Sequence, residues 1–176
     1  MSRTMATREI LIHPDPHLKK LCNPFDTVDD TVRALADDML ETMYDAPGVG
    51  LAAPQIGVLN RMFVMDCTAK EEDARPLVLI NPRVVWTSEE TSTYNEGCLS
   101  LPEMYEDVTR PARCVVQWLD RDKSEQEEEF EGLWATCAQH EIDHLDGKLF
   151  IDYLSGLKRS MITKKMMKLK KERGRG

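Results

Sequence analysis

From Val28 to Met43, apolar residues return three or four positions apart, at Val28, Val32, Leu35, Met39 and Met43, with acids between them. That spacing lays one apolar stripe along a helix and predicts one over Asp26–Asp45. Further on, Arg61–Asp66, Leu77–Asn81 and Cys114–Leu119 are short runs rich in Val, Ile, Met, Leu or Trp, and they read as strands. Glu125–Glu131 is strongly acidic and reads as an exposed hairpin edge leading into the next helix. Leu133–Leu145 is that helix, with Gly147 as its C-terminal stop. Near the end, Leu157, Met161 and Met167, joined by Leu154, predict an apolar stripe on a C-terminal helix. Strands around one buried helix, without alternating βαβ units, imply an α+β fold: antiparallel or mixed sheets around a central helix. No repeat or linker breaks the pattern, so residues 1–176 are expected to form one domain, with 155–176 as a helix and tail.

Charge changes the picture only at that tail. Lys158–Gly176 holds nine Lys or Arg and one Glu, a net of +8; within a total of −8, the remainder carries −16. The helix is expected to dock by its apolar side. Its basic side suits phosphate-rich RNA, because that attraction needs little beyond clustered cations. The chain is long enough to bury roughly 68–70% of its unfolded surface. No stretch approaches the ~20 apolar residues needed to cross a bilayer, and Met1–Arg8 lacks the apolar core of a signal peptide. The five cysteines, Cys22, Cys67, Cys98, Cys114 and Cys137, are odd in number and scattered. They suit a reducing compartment better than a disulfide framework. A cytoplasmic protein with no membrane or DNA partner is expected.

The candidate chemistry sits in the predicted central helix. His140, Glu141 and His144 form an HExxH box, written QHEIDH, and use two of the four histidines in the chain. Residues four apart share a helix face, roughly 5–6 Å between Cβ atoms, so both imidazoles can reach one ion. Glu141 is then placed to reach water at that ion without ligating it. Two incidental surface histidines would be the simpler account. A catalytic site of this kind needs a third protein ligand and an open position. Cys137 shares the box's face, but it lies about 10.5 Å of helix rise from His144, and side chains lean toward the N-terminus. It is a poor ligand and is expected to pack beside the site. Cys98 is the better candidate: Asn95-Glu96-Gly97-Cys98-Leu99-Ser100-Leu101-Pro102 is bounded by Gly and Pro and reads as a loop presenting a thiolate and backbone N–H groups. A third segment, Gly48-Val49-Gly50-Leu51-Ala52-Ala53-Pro54-Gln55, lets backbone approach a ligand closely and offers the Gln55 amide. A tight turn before a buried strand would use the same residues.

Taken together and in order, GVGLAAPQ, EGCLS and QHEIDH resemble the signatures of peptide deformylase, bacterial type, over nearly the whole chain. This is the metal hydrolase family that removes the formyl group from the N-terminus of new proteins. The resemblance implies that Cys98, His140 and His144 hold the metal. It implies that Glu141 is the base and then the acid, and that Gln55 and the Leu99 N–H meet the developing oxyanion. Gly50 would pair with the substrate backbone. Val49, Gly97, Leu133 and Cys137 would surround the methionine side chain, with Glu96 at the pocket mouth; ordinary core packing is the alternative for Leu133 and Cys137. Arg110 lies at a family position from which it could pair with Glu96, or else sit on a solvated face. Tyr105 departs from the family, some members of which carry Arg there. The family's ion is Fe²⁺, with Zn²⁺, Ni²⁺ or Co²⁺ as substitutes, a choice that ligand softness alone does not make. The partners implied are nascent formyl-methionyl polypeptides and, through the C-terminal helix, the ribosome.

Two other classes share parts of this pattern. An HExxH metallopeptidase would cut internal amides, but EGCLS and GVGLAAPQ argue against it. A non-catalytic metal- or ribosome-binding module would have no use for Glu141.

Overall fold

In the computed structural model, which describes residues 6–69 and 72–174, three α-helices and seven strands alternate as α1 (Asp30–Asp45), β1 (Gly50–Ala52), β2 (Met62–Met65), β3 (Leu77–Thr87), β4 (Thr91–Cys98), β5 (Leu101–Pro111), β6 (Arg113–Leu119), β7 (Glu125–Glu131), α2 (Gly132–Leu145) and α3 (Gly156–Gly174). The first five residues of the N-terminal stretch and the tail beyond Gly174 lie outside the described residues. Every named strand pair is antiparallel: five strands in the order β1-β2-β3-β6-β7, and a separate β4–β5 hairpin.

The five-stranded sheet is covered on both faces, which explains why β2 reads as an unbroken apolar run. Met62 and Val64, with Val78 and Ile80 of β3, pack under Val32, Leu35, Met39 and Met43 of α1. Phe63 and Met65, with Leu79, face the other way onto Ala135, Ala138, Ile142 and Leu145 of α2. Alternate side chains leave a strand on opposite faces, so two covering helices require both sets to be apolar. β7 closes one side of the sheet with five glutamates, a charged edge that discourages further pairing.

Helix α1 begins four residues later than its periodicity predicts, because Asp29 caps it. The Asp29 carboxylate accepts the Val32 N–H at 3.0 Å, and Val28 is buried ahead of the cap. β3 runs past its predicted end at Asn81. Asn81 takes a positive φ of 50° at an irregularity in register, and its amide bonds both the N–H and the carbonyl of Phe25. At the other end of the box helix, Gly147 is the expected stop, at φ 75°. A Cβ there would lie 2.6 Å from the Lys19 carbonyl oxygen.

The C-terminal helix docks by a different face from the one its sequence suggests. Leu157, Met161 and Met167 are exposed, and Leu154 is only partly covered. The buried side is Ile162 and Met166, with Leu169 beside them, packed on Leu18, Leu101, Val108 and Phe150. Ile162, Met166 and Leu169 follow at four and three residues and share one flank, whereas Met167, six residues after Met161, falls off the stripe that Leu157 and Met161 begin. His13 fastens this helix: it is buried, its Nε2 lies 2.8 Å from the Thr163 hydroxyl, and its N–H donates to the Ser100 carbonyl.

Burial pushes the His13 pKa down to about 4; Lys19 and Lys170 add to this and Asp152 opposes it. The unfolded imidazole titrates near its usual value, so between roughly pH 6.5 and 4 the unfolded chain binds more protons than the folded one. Stability from neutral His13 is therefore present above that window and lost as pH falls through it, by about 3 kcal/mol at pH 4. Urea unfolding of wild type and His13→Gln should show their stability difference shrinking by that amount from pH 7 to pH 4. A pH-independent difference would contradict the assignment.

Candidate metal centre

Helix α2 presents His140 and His144 one turn apart, with ring centroids 5.0 Å apart and the rings steeply inclined, edge to face. Cys98 meets them from the end of β4. The segment expected as a loop is instead a tight hairpin: Gly97 pairs with Tyr105, and after a register shift Cys98 pairs with Leu101, leaving only Leu99 and Ser100 as the turn. Cys98 Sγ lies 3.3 Å from His144 Nε2, and the ligating atoms of Cys98, His140 and His144 all fall within 4.8 Å of one another. Among the described residues this is the one group of three or more His, Cys, Asp or Glu side chains placed to share an ion.

Glu141 completes the arrangement. It is 2% exposed, and its Oε1 lies 3.9 Å from His140 Nε2 and 3.8 Å from His144 Nε2, with no hydrogen-bond partner. A buried carboxylate oxygen without a partner is costly unless a cation or its water meets it. The donor set and this oxygen therefore fit a divalent ion with a water beside it. Burial pushes the Glu141 carboxyl up to about 7, with Glu96 adding to the rise and His140 and Arg110 opposing it. Such a group can both take and give a proton near neutrality. Burial pulls both histidines down. For His140, hydrogen bonds to Cys98 and Glu96 and the Glu141 charge outweigh burial and hold it well above the usual range. His144, facing His140 and Arg110 as well, is held well below it.

Gln55 stands opposite, buried in a short 3-10 helix, Ala53–Ile56. Its Oε1 accepts the Ala52 N–H at 2.9 Å; its Nε2 donates to Ser100 Oγ at 3.1 Å and lies 3.5 Å from Cys98 Sγ. The amide N–H₂ is thus aimed at the thiol side of the centre, and Leu99 follows Cys98 directly in the turn. Gly50 lies on β1, an edge strand, and a Cβ there would sit 2.7 Å from Cys137 Sγ and 2.8 Å from Glu141 Oε2. Gly50, Gln55, Cys98, Leu99, Cys137 and Glu141 line one cleft of about 1060 Å³. Val49 and Leu133 are 44% and 41% exposed on its wall, so core packing does not account for Leu133. Cys137 is buried beside Gly50, with its thiol 3.8 Å from the Val49 carbonyl, away from the ligand set as helix rise predicts. Tyr105 lies over Gly97, where a Cβ would come 2.4 Å from the ring.

Glu96 lines the same cleft with little of its side chain in the open. It is 5% exposed, accepts from His140 Nδ1 at 3.0 Å, and is clamped by Arg110 at 2.7 and 3.0 Å. Arg110 is buried rather than on a solvated face and also bonds Asp143 at 2.8 Å. Asp143 and Tyr153 were not singled out from sequence. The available signal was the Asp of QHEIDH, one turn after His140 and so on the same helix flank.

The polypeptide deformylase family model matches residues 7–160. The chain belongs to the polypeptide deformylase family. It is 56% identical to the peptide deformylase of Rhizobium meliloti (strain 1021), covering 97% of this chain and 98% of that one. It is 54% identical to that of Phenylobacterium zucineum (strain HLK1), covering 93% and 97%. Among solved structures it superposes on a Legionella pneumophila peptide deformylase with a TM-score of 0.89 at 45% identity, covering 97% and 99%. On the Ehrlichia chaffeensis enzyme in complex with actinonin the TM-score is 0.90 at 40% identity, covering 93% and 98%. Deformylases are metal-dependent hydrolases that remove the N-formyl group from nascent polypeptides, and this chain is one of them. A metallopeptidase or a non-catalytic module is not favoured.

Gly50→Ala should keep the fold and lower kcat/KM on formyl-Met-Ala by tenfold or more, because the new methyl must displace Glu141 or Cys137. Wild-type activity in that variant would mean the cleft yields there more readily than the contacts imply.

Proposed function

We propose that Cys98, His140 and His144 hold one divalent ion, Fe²⁺ in the native enzyme, with Zn²⁺, Ni²⁺ or Co²⁺ as substitutes. The observation that carries this reading is the unpartnered Oε1 of Glu141, buried 3.9 Å from His140 Nε2 and 3.8 Å from His144 Nε2, the second of which also meets the Cys98 thiol. A bound ion would supply Lewis acidity, lowering the pKa of a water and polarising the formyl carbonyl. Glu141 takes the proton of the attacking water and returns it to the departing amine, one carboxylate acting as base and then acid. The Gln55 amide and the Leu99 N–H donate to the oxyanion as the carbonyl becomes tetrahedral. Gly50 offers the free edge of β1 to the substrate backbone, an added-strand contact. Val49, Gly97, Leu133 and Cys137 enclose the methionine side chain. Glu96 acts behind His140 rather than on substrate.

The whole of residues 1–176 acts in this reading as one catalytic domain, with 155–176 as a basic helix and tail. Helix α3 turns Lys164, Lys165 and Lys168 to solvent while Ile162 and Met166 dock, which supports contact with ribosomal RNA near emerging chains. That substrate, and five free cysteines, favour a cytoplasmic location.

Metal analysis of anaerobically purified protein, paired with formyl-Met-Ala hydrolysis, should give about one iron per chain and activity absent on the unformylated peptide. Glu141→Ala should retain the metal and abolish deformylation; substantial activity would refute its role. Gln55→Ala should lower kcat by about 10²–10³. Truncation after Gly156 would also uncover Leu18 and Val108, so charge reversal of Lys164, Lys165 and Lys168 is the cleaner test of the helix. It should weaken salt-sensitive ribosome binding and leave formyl-Met-Ala hydrolysis unchanged. Unaltered ribosome affinity would remove that role.

A further inference from the structure

The aspartate of QHEIDH has no part in the chemistry above, yet it closes a ring of contacts. His140 Nδ1 meets Glu96 Oε1 at 3.0 Å, and both Glu96 oxygens accept from Arg110. Arg110 reaches back through Nη1 to Asp143 Oδ2 at 2.8 Å, and Asp143 lies on α2, one turn beyond His140. Starting and ending on the same helix, the ring crosses β4 at Glu96 and β5 at Arg110. Cys98 stands on β4 two residues after Glu96. The ring therefore sets where the strand carrying the thiol lies against the helix carrying both imidazoles.

Tyr153 braces it from outside. Its hydroxyl donates to Asp143 Oδ2 at 2.7 Å, the oxygen that Arg110 uses, and its ring lies 4.9 Å from the guanidinium carbon of Arg110. Glu96 and Arg110 are nearly inaccessible, and Asp143 is 17% exposed. A buried guanidinium facing one carboxylate could pivot about it, whereas two opposed carboxylates fix its plane. Fixing Arg110 fixes Glu96, and so the tautomer and tilt of His140.

We propose that Asp143 and Tyr153 are positioning residues of the metal centre, acting through Arg110 and Glu96 to hold His140 and the Cys98 strand in ligating geometry. This rests on the assignment of Cys98, His140 and His144 as ligands. The test is Co²⁺ affinity of metal-free protein by chelator competition, with thermal melting as a fold control and formyl-Met-Ala kinetics beside it. Asp143→Asn should weaken Co²⁺ binding about 10–100-fold and lower kcat, with KM held within twofold. Tyr153→Phe keeps the ring and loses the hydroxyl, and should weaken binding about three- to tenfold. In the metal-free protein, the His140 Nδ1–H resonance should broaden or shift in both variants. A folded Asp143→Asn with wild-type affinity and kcat would overturn the proposal. Should that variant fail to fold, unchanged affinity in Tyr153→Phe would overturn it. A wild-type protein that binds Co²⁺ but leaves formyl-Met-Ala intact would instead count against the deformylase reading.

Discussion

Helix α2 is enclosed while carrying His140, Glu141 and His144, none more than a tenth exposed. That constraint shapes what surrounds it. A buried imidazole or carboxylate without a partner is costly. Here His140 Nδ1 and His144 Nε2 are met from β4, whereas His144 Nδ1 and Glu141 Oε1 have no hydrogen-bond partner among the described residues. The sheet side of the helix avoids the problem with Ala135, Ala138, Ile142 and Leu145 against an apolar face. The opposite side draws its partners from β4, with Glu96 on His140 and Cys98 on His144, while Gln55 of the short helix after β1 bonds Ser100 beside that thiol. The Glu141 oxygen that no side chain meets then marks where an ion and a water complete the set.

Holding the helix this way also makes the cleft. β1 ends the five-stranded sheet and β4 pairs only with β5, so each presents an unpaired edge, and Gly50 and Leu99 line the same opening. Backbone at an edge offers N–H and carbonyl groups that read an extended chain without reading its sequence. Selectivity then falls to the apolar wall, where Val49 and Leu133 remain exposed although both are large and hydrophobic. Exposed apolar side chains gathered on one concave surface are a binding feature rather than unfinished core.

The third cluster, around Leu101, Val108, Phe150 and Ile162, joins the hairpin to α3 and uses the remaining apolar face of β5. Docking the basic helix there leaves its cations in water, where they suit phosphate. The same hairpin carries the thiol and Arg110, so the seating of α3 and the geometry of the centre share one support.

Apolar spacing located α1, short apolar runs located β2, β6 and the start of β3, the HExxH box with its glycine stop located α2, and an acidic run located β7. Each of these signals is written in consecutive residues. The box fixed two imidazoles and a carboxylate on one helix flank, and helix rise removed Cys137 from the ligand set. The strands β4 and β5 were not legible: Thr91–Cys98 and much of Leu101–Pro111 are polar or exposed, so neither shows an apolar alternation. Nor could sequence say that Glu96 turns inward to His140, that Arg110 is buried between two acids, or which flank of α3 docks. Those outcomes depend on pairing atoms dozens of residues apart, such as Cys98 with His144 across 46 positions. The sequence by itself determined the chemical types and the local faces. Tertiary structure alone decided which faces meet, because burial and hydrogen-bond satisfaction are properties of the assembled surfaces.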